Sequence, residues 1–251
     1  MSTRSSERSL EMLVSIVGRG HSGTRLMAHT LLQSGFYIGR RINGAGDLIP
    51  AEEMYEAARI FGNYVDYMGN YYWSWERSKD ILPTTEFRLA VEDYLYSVLV
   101  FRSRYRGWKL PENSLILPWL VKLYPRAYYI YWIRDPRDVV LDLHITDDIR
   151  KWNVPAPDAV NTISMRAISW WYQYQLAHSI IKPTRWIIVR YEDFVLKQDI
   201  TLERLSDFLH IKLTKINVDP SKIGQWRTKM PDVMEHMGFL QPALNMYYED
   251  Y

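Results

Sequence analysis

Cysteine is missing from all 251 residues, which excludes a disulfide framework, cysteine-ligated zinc and a thiol nucleophile, and suits a reducing compartment. Charge of one sign is missing too. The 31 basic residues stand against 29 acidic ones, for a net charge of +2, so there is no global field for nucleic acid or an anionic membrane, and any anion must be held locally. No apolar run approaches the roughly 18 residues of a membrane span. The stretch from Met1 to Ser9 is polar, carries Arg4, Glu7 and Arg8, and leads into no signal-peptide core. These absences predict a cytoplasmic globular protein with no membrane span and no nucleic-acid partner.

What is present fits one domain. Hydrophobic residues make up 47% and charged residues 24%, enough to bury a proper core. We expect a single domain over residues 1–251, with its core at about 13–228 and a tail at 229–251. The 19 tyrosines and 10 tryptophans suit a core, or a cleft that stacks a base or a sugar ring.

The chain is organised around Val14-Ser15-Ile16-Val17-Gly18-Arg19-Gly20-His21-Ser22-Gly23-Thr24-Arg25-Leu26-Met27. An apolar β-branched run passes through glycines into helical spacing, which reads as strand, tight loop and helix. The loop amides and the positive end of the helix make an anion site for a phosphate or sulfate. Gly18 and Gly23 have the spacing of the nucleotide loop G-x-x-x-x-G-K-[ST], but Thr24-Arg25 follows where that motif needs a lysine and a magnesium-binding hydroxyl. The loop is built to cradle an anion without the ATP machinery.

Downstream, periodicity predicts a helix over 24–33 closed by Gly35, a second strand over 36–39, and a turn bearing Asp47. A helix opens near Pro50, and 61–85 is aromatic and irregular. An amphipathic helix over 86–105, with Leu89, Val91, Tyr94, Leu95, Val98 and Leu99 on its apolar face, is ended by Gly107, and Trp108 to Pro111 is extended. Helices follow at 117–123, from Pro136 through His144, at 158–181 and at 201–210. The runs 127–133 and 185–191 read as strands buried on both faces. Strands alternating with helices predict an α/β three-layer sandwich with a central parallel sheet. Ligands bind at the carboxyl ends of such strands, here Gly18 to Arg25, Arg134 to Asp138 and Tyr191 to Asp193.

These strand ends resemble the signature of the P-loop-containing sulfotransferases that use 3′-phosphoadenosine 5′-phosphosulfate (PAPS) and release 3′-phosphoadenosine 5′-phosphate (PAP). Gly20-His21-Ser22-Gly23-Thr24-Arg25 resembles the 5′-phosphosulfate loop, in the variant found in carbohydrate sulfotransferases of the heparan type. Ile133-Arg134-Asp135-Pro136-Arg137-Asp138-Val139 resembles the 3′-phosphate segment, and Val189-Arg190-Tyr191-Glu192-Asp193-Phe194 the Y-E-D strand end. Gly224-Gln225-Trp226-Arg227 is similar to a late G-x-W-K/R element that folds over the donor. The resemblance implies a metal-free sulfotransferase that moves a sulfuryl group to an acceptor hydroxyl, and the loop variant tilts the acceptor towards a carbohydrate over another small molecule.

It also implies roles. The loop from Arg19 to Arg25, with Thr24, holds the 5′-phosphate and the sulfuryl group; Arg134 takes the 3′-phosphate; Tyr191 lies near the adenine; Trp226 and Arg227 close over the donor. Sulfuryl transfer spreads negative charge over oxygens, which calls for fixed donors and cations. A guanidinium offers a phosphate two parallel hydrogen bonds. Two positions depart from the pattern. His21 stands where a lysine or arginine is common, with Arg19 and Arg25 as substitutes for that charge. Asp142 stands at the 3′-phosphate serine, where a carboxylate repels, so either it turns away or another group takes over.

Asp47 is the first choice for general base and Glu52 or Glu53 the second, with turn formation and capping as the other role for Asp47. Lys109 matches a lysine at the sulfuryl group. His144, on a helix with Leu141 and Ile145, reads as structural. The region from Tyr64 to Trp75 and the Trp170-Trp171 pair either line an acceptor site or belong to the core. Two other functions fit the same layout: a small-molecule or nucleoside kinase, against which the missing lysine counts, and a catalytically silent PAP-binding module.

Overall fold

The computed structural model describes residues 11–248; the polar stretch Met1 to Ser9 lies outside them. In chain order the elements are β1 Met12–Val17, α1 Thr24–Gln33, α2 Glu52–Gly62, β2 Asp66–Gly69, β3 Tyr72–Ser74, α3 Glu76–Lys79, α4 Thr85–Leu99, β4 Tyr105–Lys109, α5 Leu117–Leu123, β5 Tyr128–Ile133, α6 Pro136–Val139, α7 Thr162–Ser179, β6 Trp186–Arg190, α8 Tyr191–Leu196, α9 Gln198–Leu209, α10 Trp226–Lys229 and α11 Gln241–Tyr247. Short 3-10 turns fill several connections, among them Pro111–Leu115 directly after β4.

Four strands form one parallel sheet in the order β4-β1-β5-β6. The period of two along β5 sorts its side chains between two cores. Tyr129, Tyr131 and Ile133 join the cluster of α2, α4, α5 and α7, while Ile130 and Trp132 join that of α1, α8 and α9. A strand buried on both faces needs helices on both faces. The result is the expected three-layer α/β sandwich.

α1 spans the predicted residues, and Gly35 at φ 87 closes it, with Phe36 N–H donating to Leu31 O at 3.0 Å. The second strand expected over 36–39 is instead a single parallel bridge, Tyr37 to Arg106, on the open edge of β4.

The helix expected over 86–105 stops at Leu99, and Tyr105–Lys109 becomes the edge strand β4. Gly107 is therefore a strand glycine. A Cβ there would lie 2.7 Å from the Val14 carbonyl oxygen, so only glycine lets β4 approach β1. Leu89, assigned to the apolar face, is 48% exposed, while Phe87 is buried.

The irregular region holds the β2–β3 hairpin and α3. Trp73, Trp75, Trp170 and Trp171 are all buried in the larger core, where they pack the interior. α6 ends after one turn, which leaves His144 in a loop and not on a helix. Beyond residue 228, Met237, Leu240 and Ala243 are fully buried against the α7 side of the sheet, so this stretch belongs to the packed unit.

Candidate active site

The carboxyl ends of the parallel strands open on one cleft of about 660 Å³. Its floor is the loop between β1 and α1. Gly18 lies so close to β5 that a Cβ would meet the Trp132 carbonyl oxygen at 2.5 Å. Gly23, at φ 82, would meet the Tyr191 ring at 2.5 Å. Trp132 donates its indole N–H to Ser22 O at 2.7 Å, and Arg134 donates to His21 O at 3.0 Å, so the end of β5 fixes the loop.

No described side chain caps the N-terminus of α1, and its first turn holds no acidic residue, whereas Thr84 caps α4 and Asn161 caps α7. A helix start leaves its first N–H groups without intrahelical acceptors and carries partial positive charge. Gly23, Thr24 and Arg25 bring that end to the cleft.

The loop residues divide. Gly20, His21, Gly23, Thr24 and Arg25 line the cleft, while Arg19 and Ser22 do not. Arg19 is buried in an ion pair with Asp147, which also pairs with Arg166 at 3.3 Å. Burial lowers the Arg19 pKa to about 10, opposed by Asp147 and reinforced by Arg166. The expectation that Arg19 supplies cleft charge is corrected: it braces the loop from behind. Ser22 acts through its backbone carbonyl. His21 adopts φ 61 and holds its Nε2 2.6 Å from Leu143 O.

At the end of β5, Arg134 lines the cleft, stacks 4.5 Å from the Tyr191 ring centroid, donates to Lys222 O at 2.5 Å and lies 3.4 Å from Asp138. The Asp138 carboxylate also accepts the amides of Gly224 at 2.8 Å and Trp226 at 3.0 Å. It ties the late glycine-tryptophan element to the strand end, a role that the sequence reading missed. Arg137 and Arg227 stack on Trp226 at 4.5 and 4.8 Å. Trp226 and Arg227 are not part of the cleft lining. Asp142 is exposed and outside the lining.

The other end of the cleft carries Asp47 and Lys109. Lys109 Nζ donates to Asp47 Oδ1 at 2.5 Å, and Asn43 holds Asp47 Oδ2 at 2.9 Å. Glu52, exposed, and Glu53, half-buried, lie in the first turn of α2 and outside the lining, which leaves Asp47 as the one of the three candidate carboxylates that reaches the cleft. Behind the pair, Glu112 is 1% exposed, and its Oε2 has no partner among the described residues. Burial raises its pKa to about 7, with Asp47 adding to the rise and Lys109 opposing it. The signal for Glu112 was its place three residues after Lys109. His144 also lines the cleft, hidden from the sequence reading by the helix assigned to it.

Among the described residues, no cluster of histidine and acidic side chains could hold a metal ion, and no helix is long and apolar enough to cross a membrane. Three solved structures share the fold. The sulfotransferase domain from the curacin biosynthetic pathway is 16% identical, with a TM-score of 0.56 over 93% of this chain and 98% of that one. The sulfotransferase domain from the Synechococcus PCC 7002 olefin synthase is 16% identical, at 0.53 over 92% and 94%. Sulfotransferase STF9 from Mycobacterium avium is 12% identical, at 0.53 over 95% and 77%. A comparison with curated protein sequences finds no match. The sulfotransferase family model matches residues 14–215, from within β1 to just past α9, which takes in the cleft lining from Gly20 to Tyr191 and leaves Asn217, Val218, Asp219 and Lys222 beyond it. The chain belongs to the sulfotransferase family.

Proposed function

We propose that the protein transfers the sulfuryl group of PAPS to an acceptor hydroxyl, with the chain working as a single catalytic domain. The carrying observation is that the uncapped N-terminus of α1 and the Arg134 guanidinium face one cleft from two strand ends. Two separated anion sites suit a donor with a 5′-phosphosulfate and a 3′-phosphate. Thr24 in place of the nucleotide-loop lysine favours this donor over ATP.

In this reading the amides at Gly23 to Arg25, with the Thr24 hydroxyl, hold the 5′-phosphate, and Arg25 and His21 add donors at its rim. Arg134 binds the 3′-phosphate, and Tyr191, under the guanidinium, faces the adenine. Trp226, its amide held by Asp138, and Arg227, stacked on it, cover the donor. Lys109 faces the sulfuryl oxygens, and Asp47 accepts the proton of the hydroxyl. The acceptor oxygen–sulfur bond forms as the sulfur–bridging oxygen bond breaks, and the electron pair stays on the phosphate that leaves as PAP. Charge builds on that bridging oxygen, where fixed donors stabilise it most.

The carbohydrate-type variant of the loop at Gly20 to Arg25 favours a carbohydrate or other polar hydroxyl compound as the acceptor.

Calorimetric titration with PAP in the absence of magnesium tests the donor, with ATP as control and an Arg134→Ala variant beside it. PAP binds better than ATP, and Arg134→Ala weakens PAP by about 2 kcal/mol or more, the scale of a lost charge-assisted hydrogen-bond pair. Preference for ATP turns the reading to a kinase. Tight PAP binding with no turnover of PAPS against any hydroxyl acceptor turns it to a silent module.

A further inference from the structure

The ring of His144 lies against Gly20, where a Cβ would come within 2.2 Å of it, and forms part of the cleft wall. Its proton can be assigned from its partners. The Thr146 backbone N–H donates to Nδ1 at 3.2 Å, and the Thr146 hydroxyl, 3.0 Å from the same nitrogen, can donate to it as well. An amide nitrogen can only donate, so Nδ1 is the acceptor and the neutral ring carries its hydrogen on Nε2. Nε2 meets no acceptor among the described residues.

The surrounding turn is firmly placed. The His144 backbone N–H donates to Asp147 Oδ2 at 2.8 Å, and Asp147 pairs with both Arg19 and Arg166. The same ion pair that braces the loop from behind thus holds His144 over it. His21 meets the ring edge-on at 5.5 Å between centroids.

We propose that His144 binds the transferring sulfuryl group, donating Nε2–H to one of its non-bridging oxygens and taking no proton in the reaction. The inference rests on the sulfotransferase reading and adds a catalytic residue to it. Position selects the sulfuryl group over the 5′-phosphate. The ring stands over Gly20 and lines the same cleft as Lys109 and Asp47, the pair that this reading places at the sulfuryl group and the acceptor hydroxyl. Burial, then the cations Arg19, His21 and Lys109, hold its pKa down to about 3. The donor therefore stays uncharged across the physiological range. No bond to His144 forms or breaks, and the hydroxyl proton still goes to Asp47.

The test combines histidine ¹⁵N NMR of the wild-type protein with calorimetry of PAPS and PAP binding to wild type, His144→Phe and His144→Gln. Phenylalanine keeps a ring over Gly20 and removes the donor; glutamine restores an N–H. Expected is an Nε2-protonated His144 between pH 5 and 8, whose N–H signal moves with PAPS and not with PAP. His144→Phe loses roughly fivefold to tenfold in PAPS affinity, the scale of one hydrogen bond, with PAP affinity within about twofold, and His144→Gln recovers part of the loss. A proton on Nδ1, an N–H signal unmoved by PAPS, or equal changes for both nucleotides in His144→Phe overturns the proposal while leaving the donor site standing. Wild-type protein that binds neither nucleotide removes the sulfotransferase reading and this proposal together, whatever the tautomer. The NMR arm needs no variant, so poor folding of His144→Phe leaves the test intact.

Discussion

Lys109 donates to Asp47 at 2.5 Å, joining the end of β4 to the turn before α2 across 62 residues of sequence. The lysine is 4% exposed and the aspartate 15%, so the contact is nearly dry. A nearly dry pair responds asymmetrically: losing one partner leaves a charge that water cannot reach. With Glu112 behind it, Lys109 is the cation among two carboxyl groups.

Lys109→Met should therefore destabilise the protein by about 3–5 kcal/mol, the range for breaking a buried pair from one side. Urea unfolding reads the loss. Asp47→Asn keeps an acceptor for the ammonium, with Glu112 as the remaining carboxyl group beside it, so it should lose less stability than Lys109→Met and bind PAP within about twofold of wild type, while PAPS turnover falls by about 10²–10⁴. Unchanged turnover in Asp47→Asn would remove Asp47 as the base.

Asp138 gives a prediction that separates nucleotide binding from chemistry. Asp138→Ala frees the amides of Gly224 and Trp226 and removes the 3.4 Å partner of Arg134. We expect PAP binding to weaken by about 1–3 kcal/mol, the worth of charge-assisted hydrogen bonds. Hydrogen exchange should rise at 224–229. Full protection there in the variant would show that the element is held by something else.

Gly23→Ala tests the loop itself. An alanine must adopt φ 82 and displace the Tyr191 ring, a strain of about 1–3 kcal/mol. Because that ring supports Arg134, PAP affinity should fall together with the melting temperature. Gly44→Ala, where a Cβ would meet nothing within 4 Å, is the control and should leave both unchanged.

Glu112 predicts a pH dependence of stability. Its folded pKa of about 7 lies above the ordinary 4.5, so the folded state binds the proton more tightly than the unfolded chain. The contribution is complete below about pH 4.5 and is lost as pH rises through 7. At about 1.4 kcal/mol per pKa unit, the span is about 3 kcal/mol. Glu112→Gln cannot ionise and should gain on wild type by that order between pH 4.5 and 8 in urea titrations. Glu192, also raised to about 7 by burial, keeps a similar slope in both proteins. Parallel curves for the two would place the Glu112 charge in contact with water.

The parts legible in the sequence are those with strong local grammar. β5 and β6 announced themselves as apolar runs, α1 by its glycines and period, and the cleft floor by the spacing of Gly18 and Gly23. Local grammar misled where a non-local contact decides. Residues 100–105 continue a plausible helical pattern, yet β1 draws Tyr105–Lys109 into the sheet through the close approach at Gly107. His144 follows a proline-led helix start that the Asp147 pairs cut short. Arg19 looked like cleft charge because its partner lies 128 residues on. Glu112 and Asp138 act through neighbours that only the folded chain assembles.

The buried pair of Arg19 with Asp147 also sets a timetable. In synthesis the glycine loop precedes the partners that give it shape by 110 to 128 residues: Trp132 to Ser22, Arg134 to His21, Leu143 to His21 and Asp147 to Arg19. Such distant pairings must overcome loop-closure entropy before they stabilise anything, and they make for slow maturation. A nascent chain halted short of residue 132 carries the whole glycine motif and none of these four contacts, and the Asp147 brace is the last of them to arrive.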